Sequence, residues 1–349
     1  MNLRLPGREI LVFTHPHRTY DYAQYRQHHE EMMSWSEKYG CEGMLCSTSS
    51  YDYFDPWLWA QFLCSKTENL KPFIAINPIY MHPFSAARMV ASLTHLYGRK
   101  IWVNFITGSA KADLEQLNDS LAKPERYARL GEYFGVMMQL LSSKQPIYFA
   151  GKHYTLNGAT LMTHLEPELI PGITWSGESE VSIKMAAELN LLNLQMLPSG
   201  EVNDSNCKNK SLAFGIVARE TPEDAWEAAN KIYPPDRFGQ KLLKVSMERN
   251  ETDWKARIGR EMEAGSWERG DGSGASATPG VRLNPLYWLE PFKNKYADCP
   301  YLVGSYAELA EFVATLAKHE AHSFVLTIKT EEEFGHIDKV FRMVEINSP

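Results

Sequence analysis

Residues 101–134 read IWVNFITGSAKADLEQLNDSLAKPERYARLGEYF. The apolar run IWVNF stops at Thr107-Gly108, and after a polar insert the triplet Glu125-Arg126-Tyr127 opens a segment whose apolar residues recur at helical spacing. In a barrel of alternating strands and helices, the carboxyl ends of the strands carry the chemistry. VNFITG followed by ERY is therefore read as a ligand-facing strand end whose helix supplies a further polar contact.

The alternation extends in both directions from this stretch. EILVFTH, GMLCSTS, FIAINPI and KIWVNFITG are four strand candidates with helices between them, and GITWSGES, NLLNLQM, SLAFGIVARE and HSFVLTI add four more. Eight strands separated by helical stretches predict an α/β fold, a (β/α)8 TIM barrel, and the whole of residues 1–349 is read as one such domain. Two segments interrupt the pattern. Residues 143–166 alternate apolar and polar side chains around Gly151 and Asn157-Gly158, which predicts a β excursion outside the barrel. Residues 264–285 are rich in Gly, Ser and Ala and predict a mobile loop that could act as a lid over substrate.

Composition narrows the function classes. Hydrophobic residues make 44% of the chain and charged residues 23%, ordinary for a globular enzyme with a sizeable core. A net charge of -7 and a pI near 5.9 leave no general basic face for nucleic acid or an anionic membrane. The amino terminus carries only a brief apolar run ending in histidines, so a cytoplasmic protein is expected. Cys41, Cys46, Cys64, Cys207 and Cys299 have no CxxC spacing and are read as buried free thiols, with no structural metal.

The motifs VNFITG, PERY with the following EYF, and FAGKHYTLNGA resemble the alkanesulfonate monooxygenase branch of the bacterial luciferase-like flavin-dependent monooxygenases. HPFSAARMVASLTHLYGR, WSGESEVSIKMAAEL, ARETPEDAWEAA and YLVGSYAELAEFV continue the likeness in order, from about Glu9 to Val344. The resemblance implies a two-component enzyme that takes reduced FMN (FMNH2) from an NAD(P)H-dependent flavin reductase and activates O2 as a C4a-(hydro)peroxyflavin. It also implies a homodimer or homotetramer. Asn104 would lie beside the flavin ring and Tyr127 and Ser179 at its phosphate, with Thr48, Thr107, Ser176 and Gly177 completing the cofactor set. Read from the residues alone, Ser179 is equally an N-cap and Asn104 a satisfied core amide.

The substrate end departs from the sulfonate enzymes. Their cysteine after the second strand falls here on Asp52 or Tyr53, their Arg and His two residues apart fall on Ala213 and Gly215, a tyrosine near the last strand becomes Lys329, and a lid arginine becomes Lys295. The expected substrate is an organic small molecule, such as a biosynthetic intermediate, rather than a simple alkanesulfonate. Its pocket is assigned to Tyr51, Tyr53, Trp57, His82, Lys295 and Lys329, and proton handling to His15 or His17, because histidine titrates near neutral pH. Three rival readings accompany this one. A deazaflavin-dependent hydride transferase and a non-catalytic flavin-binding barrel share the fold, and a metal-dependent hydrolase would use His15-Pro16-His17 as two ligands and need further ones on later strands.

Overall fold

The computed structural model describes residues 1–49, 52–108, 111–248, 250, 252–263 and 284–347. All eight expected strands form: β1 (Arg8–Pro16), β2 (Gly43–Cys46), β3 (Lys71–Ile76), β4 (Trp102–Phe105), β5 (Gly172–Ser176), β6 (Leu192–Met196), β7 (Lys210–Arg219) and β8 (Ser323–Ile328). At least one helix follows each, and the ones used below are α1 (Tyr22–Lys38), α2 (Pro56–Lys66), α3 (Pro83–Tyr97), α4 (Lys123–Ser142), α5 (Glu180–Glu188) and α6 (Asp253–Glu263). The strands succeed one another in chain order and β8 pairs with β1, which makes the fold a (β/α)8 barrel. Contacts gather the chain into two compact units, residues 45–193 and residues 1–44 with 194–349, so the division falls inside β2 and β6.

In residues 45–193, β3, β4 and β5 run parallel, with Phe73 opposite Trp102, Trp102 opposite Gly172, and Asn104 opposite Thr174. These strands are apolar almost throughout, as parallel strands covered on both faces must be. Phe105 is wholly buried and meets the rings of Tyr133, Phe134 and Trp175 at 6.3, 5.4 and 6.2 Å. The β excursion forms as Ile147–Ala150 paired antiparallel with Thr155–Ala159. Its reversal lies at Gly151 to Tyr154, whereas Asn157-Gly158 sits within the second strand, opposite a register shift. The reversal is held by Glu132 of α4, whose carboxylate accepts the backbone N–H groups of Lys152, His153 and Tyr154 at 2.8, 2.8 and 3.1 Å.

In the other unit, β1 pairs with β2 and with β8, and β8 with the first half of β7. The second half of β7 pairs instead with a strand at Tyr301–Ser305, Gly215 lying opposite Tyr301. That strand was not anticipated from YLVGSYAELAEFV, whose helix begins only after Ser305 caps it through a reciprocal bond with Glu308. A Cβ at Gly215 would stand 2.2 Å from the Tyr301 ring, so β7 needs glycine at this position. The buried Tyr301 hydroxyl shares a 2.8 Å hydrogen bond with Tyr233 and donates to the Thr327 carbonyl at 2.9 Å. All five cysteines are free and buried. No helix among the described residues is long and apolar enough to cross a membrane. Of the two interruptions expected above, residues 264–283 lie outside the described residues.

Gly215→Ala forces the Tyr301 ring out of place and is expected to cost about 1–3 kcal/mol, the range for overpacking a filled core. Chemical denaturation of parent and variant measures the loss.

Candidate active site

Parallel pairing of β4 with β5 sets Asn104 opposite Thr174, and Ser176, two residues on, shares the face of Thr174. Both hydroxyls donate to the Asn104 Oδ1, at 2.8 Å from Thr174 and 2.9 Å from Ser176. With its oxygen taken by two donors, the 5% exposed carboxamide has one orientation, and its NH2 is the end left to donate to a ligand. A structural amide would satisfy both ends within the core, so the geometry favours a working role for Asn104.

The chain leaves β5 through Gly177, at φ +134, where a Cβ would stand 2.7 Å from the Tyr127 hydroxyl and 2.6 Å from Ser182 Oγ. Only glycine lets the backbone turn this closely beneath those hydroxyls. Ser179 then caps α5, its Oγ accepting Ser182 N–H at 3.2 Å and donating to the Tyr127 hydroxyl at 3.2 Å. Ser182 Oγ donates to the Ser176 carbonyl at 3.0 Å, and Asn193 Nδ2 donates to the carbonyls of Trp175 and Gly177 at 2.8 and 3.1 Å. The outcome is a helix start with hydroxyls from α4 and α5 beside it, an arrangement of the kind that can seat an anionic group. Sequence reasoning assigns Asn104, Tyr127, Ser176, Gly177 and Ser179 to one site, and in the structure these five lie in one group of hydrogen-bonded neighbours. It missed Ser182, legible as the third residue after an N-cap serine, and Asn193, for which no local signal exists. Thr48 and Thr107 are half-buried after β2 and β4 and lie outside this hydrogen-bonded group.

The expected substrate residues of this unit are dispersed. Trp57 is 4% exposed and belongs to the hydrophobic core at the start of α2, while Tyr53 is 47% exposed in the loop before it. His82 caps α3, its Nδ1 accepting the Phe84 N–H at 3.2 Å, and its ring meets Tyr154 edge-on at 5.5 Å. One ring nitrogen of this exposed histidine is thereby engaged at the helix start. Tyr51 lies outside the described residues.

Residues 1–44 with 194–349 hold the histidines and lysines. His15 ends β1, and desolvation with the Arg18 cation holds its pKa down at about 4. His17 is 6% exposed, its ring 4.1 Å from that of His28, and its Nδ1 has no hydrogen-bond partner. Desolvation, then His28 and Lys329, lower its pKa to about 3. His29, whose Nδ1 lies 2.8 Å from the Tyr25 carbonyl, is lowered to about 3, chiefly by burial. With pKa values this low, the rings of His15, His17 and His29 are uncharged near neutral pH. Lys329 donates to the Ile232 carbonyl at 2.5 Å between the faces of Tyr233 and Tyr296, 5.2 and 4.8 Å from their centroids. Lys295 is 5% exposed and engages Asp298 at 3.0 Å. No three His, Cys, Asp or Glu side chains among the described residues converge as a metal site.

The depressed histidines make the fold acid-sensitive. Below about pH 6.5 the unfolded chain takes a proton on His17 and His29 that the folded chain refuses down to about 3, so stability falls with pH across this window. Each ring contributes a slope of about 1.4 kcal/mol per pH unit. In denaturant titrations between pH 6 and 4, His17→Gln is expected to reduce that slope by about one proton's share.

Residues 9–197 match the luciferase-like monooxygenase family. The chain is 29% identical over 315 residues, 87% of each protein, to 4-(gamma-L-glutamylamino)butanoyl-[BtrI acyl-carrier protein] monooxygenase BtrO of Niallia circulans. Its fold is similar to that of EDTA monooxygenase from Chelativorans sp. BNC1, with a TM-score of 0.69 at 14% identity over 97% of this chain and 94% of the other. It is also similar to the oxygenating constituent of 3,6-diketocamphane monooxygenase from Pseudomonas putida, a type II Baeyer-Villiger enzyme in complex with FMN, with a TM-score of 0.64 at 14% identity over 100% and 99%. With a family match that runs from β1 through β6 and takes in Asn104, Tyr127 and Ser179, the chain belongs to the luciferase-like monooxygenases.

Proposed function

We propose that the protein is a monooxygenase that binds reduced FMN and oxygenates a small organic molecule with O2. The observation that carries this reading is the pairing of an oriented amide donor, Asn104, with a hydroxyl-lined helix start at Ser179, built on the same β5 exit. The residues fit the cofactor. Ser179, Tyr127 and the first amides of α5 would hold the phosphate, and the Asn104 NH2 would donate to the ring system. Gly177 supplies the close backbone approach that such a seat needs.

Reduced FMN, when bound, supplies the two electrons that convert one atom of O2 to water while the other enters the substrate. The chain's own share is to position and to exclude water. Uncharged His15 and His17 would hold or relay a proton as neutral imidazoles. The reductant would come from a separate NAD(P)H-dependent flavin reductase. We also infer a cytoplasmic homodimer or homotetramer acting on a biosynthetic intermediate, in keeping with the acyl-carrier-bound substrate named for the Niallia circulans relative.

Anaerobic fluorescence quenching tests the cofactor assignment. Tyr127→Phe and Ser179→Ala are each expected to weaken reduced FMN by about ten-fold, the loss of about one hydrogen bond to a charged group, and to leave riboflavin, which lacks the phosphate, unaffected. Equal loss for both flavins would remove these residues from the phosphate site. Binding of a reduced deazaflavin with no affinity for reduced FMN would replace the oxygenase by a hydride transferase.

A further inference from the structure

β1 and β8 end side by side, with Ile328 opposite Pro16, so His17 and Lys329 are the first residues past the paired strand ends, where a barrel carries its chemistry. His17 is also where this end of the barrel meets α1. Its ring, almost wholly buried, touches the ring of His28, with centroids 4.1 Å apart and planes inclined at 60°. The His28 side chain is 25% exposed, and its Nδ1 lies 3.6 Å from Oε2 of Glu31, which is three residues further along the same helix and 36% exposed. Exposure thus rises step by step from a buried imidazole to a carboxylate in contact with water.

The next histidine on α1 is built otherwise. His29 Nδ1 lies 2.8 Å from the Tyr25 carbonyl and its ring stacks on that of Tyr25 at 4.0 Å, so one of its nitrogens is fixed. The Nδ1 atoms of His17 and His28 are both buried and make no hydrogen bond. Two such nitrogens on rings in contact call for a reason beyond packing, since buried polar atoms are ordinarily bonded. Rotation about a Cβ–Cγ bond, or one bridging water, brings a nitrogen of each ring within hydrogen-bond reach, which is the geometry a proton transfer needs. Burial, His28, Lys329 beyond β8, His29 and His15 together lower the pKa of His17 to about 3. A second proton therefore does not rest on this ring; it arrives on one nitrogen as another leaves the other.

We propose that His28, held toward Glu31, is the port through which protons pass between solvent and His17. Inward, a proton from water or from the Glu31 carboxyl binds one nitrogen of His28, the N–H on its other nitrogen is given to His17, and His17 releases its own proton from its second nitrogen. Each transfer forms one N–H bond as another breaks, no electrons change hands, and ring rotation resets both tautomers. That the proton serves turnover rests on the oxygenase reading, whereas the path itself does not.

The test follows the proton on His17 in the full chain, without flavin. With 15N-labelled histidine, the His17 ring signals are assigned by their loss in His17→Gln, and exchange of the ring proton with water is measured at neutral pH by magnetisation transfer, or from the 15N line broadening where exchange is fast. His28→Phe keeps an aromatic ring against His17 and removes both nitrogens. It is expected to slow the exchange about ten-fold or more, and Glu31→Gln to slow it by a smaller factor. A histidine that only packs would, on removal, loosen the site and speed exchange. Free imidazole should restore the rate in His28→Ala, and Arg26→Gln, which alters an exposed pair on the same helix, should leave it unchanged. His28→Gln replaces the phenylalanine variant should that protein not fold. Exchange that is unchanged or faster without His28, or that imidazole fails to restore, would overturn the path. Reduced FMN affinity, measured separately, reports on the oxygenase reading, so either can fail without the other.

Discussion

Two hydroxyls donating to one carboxamide oxygen organise the proposed cofactor end of this protein. The bonds from Thr174 and Ser176 to Asn104 exist only because β4 and β5 pair in parallel with Asn104 opposite Thr174. A one-residue slip would turn all three side chains to the other face. Since Ser176 is also the residue from which the chain turns through Gly177 into α5, the register of two strands sets the position of a helix start, and the helix start in turn meets the Tyr127 hydroxyl from α4. The site is therefore an outcome of strand register more than of loop conformation.

The other unit makes a different electrostatic choice. His15, His17 and His29 are kept neutral chiefly by burial, while Lys329 lies against two aromatic faces and a carbonyl and Lys295 against Asp298. Lys329 illustrates the balance, since desolvation lowers its pKa while two tyrosine rings and the Ile232 carbonyl favour the ammonium form. A neutral imidazole beside fixed positive charge suits chemistry in which negative charge develops on oxygen.

The fold was legible because each barrel strand is a short apolar run bounded by turn residues and followed by helical spacing, as in KIWVNFITG. The Tyr301–Ser305 strand was not, because YLVGS runs without a break into the apolar periodicity of the next helix. Long-range complementarity was also out of reach. Gly215 reads in the sequence as the loss of a titrating group, and only the structure reveals the Tyr301 ring that occupies the space a side chain would need. Aromatic residues near a strand end suggested a substrate wall, yet Trp57 turned inward, since an indole two residues into a helix packs wherever the core has room. Asn104, Tyr127 and Ser179 lie in contiguous motifs, whereas Asn193 supports the same turn from the next strand, outside any of them.

The five thiols have a consequence for durability. Burial raises Cys41 and Cys299 to about 12 and Cys64 and Cys207 to about 11, and it pushes Cys46 up as well. The thiolate is the form that reacts with peroxides, and at neutral pH almost none of it is present. The proposed reaction, which brings reduced flavin together with oxygen, would expose the protein to hydrogen peroxide whenever turnover misfires. The five thiols lie where oxidants find neither access nor a thiolate.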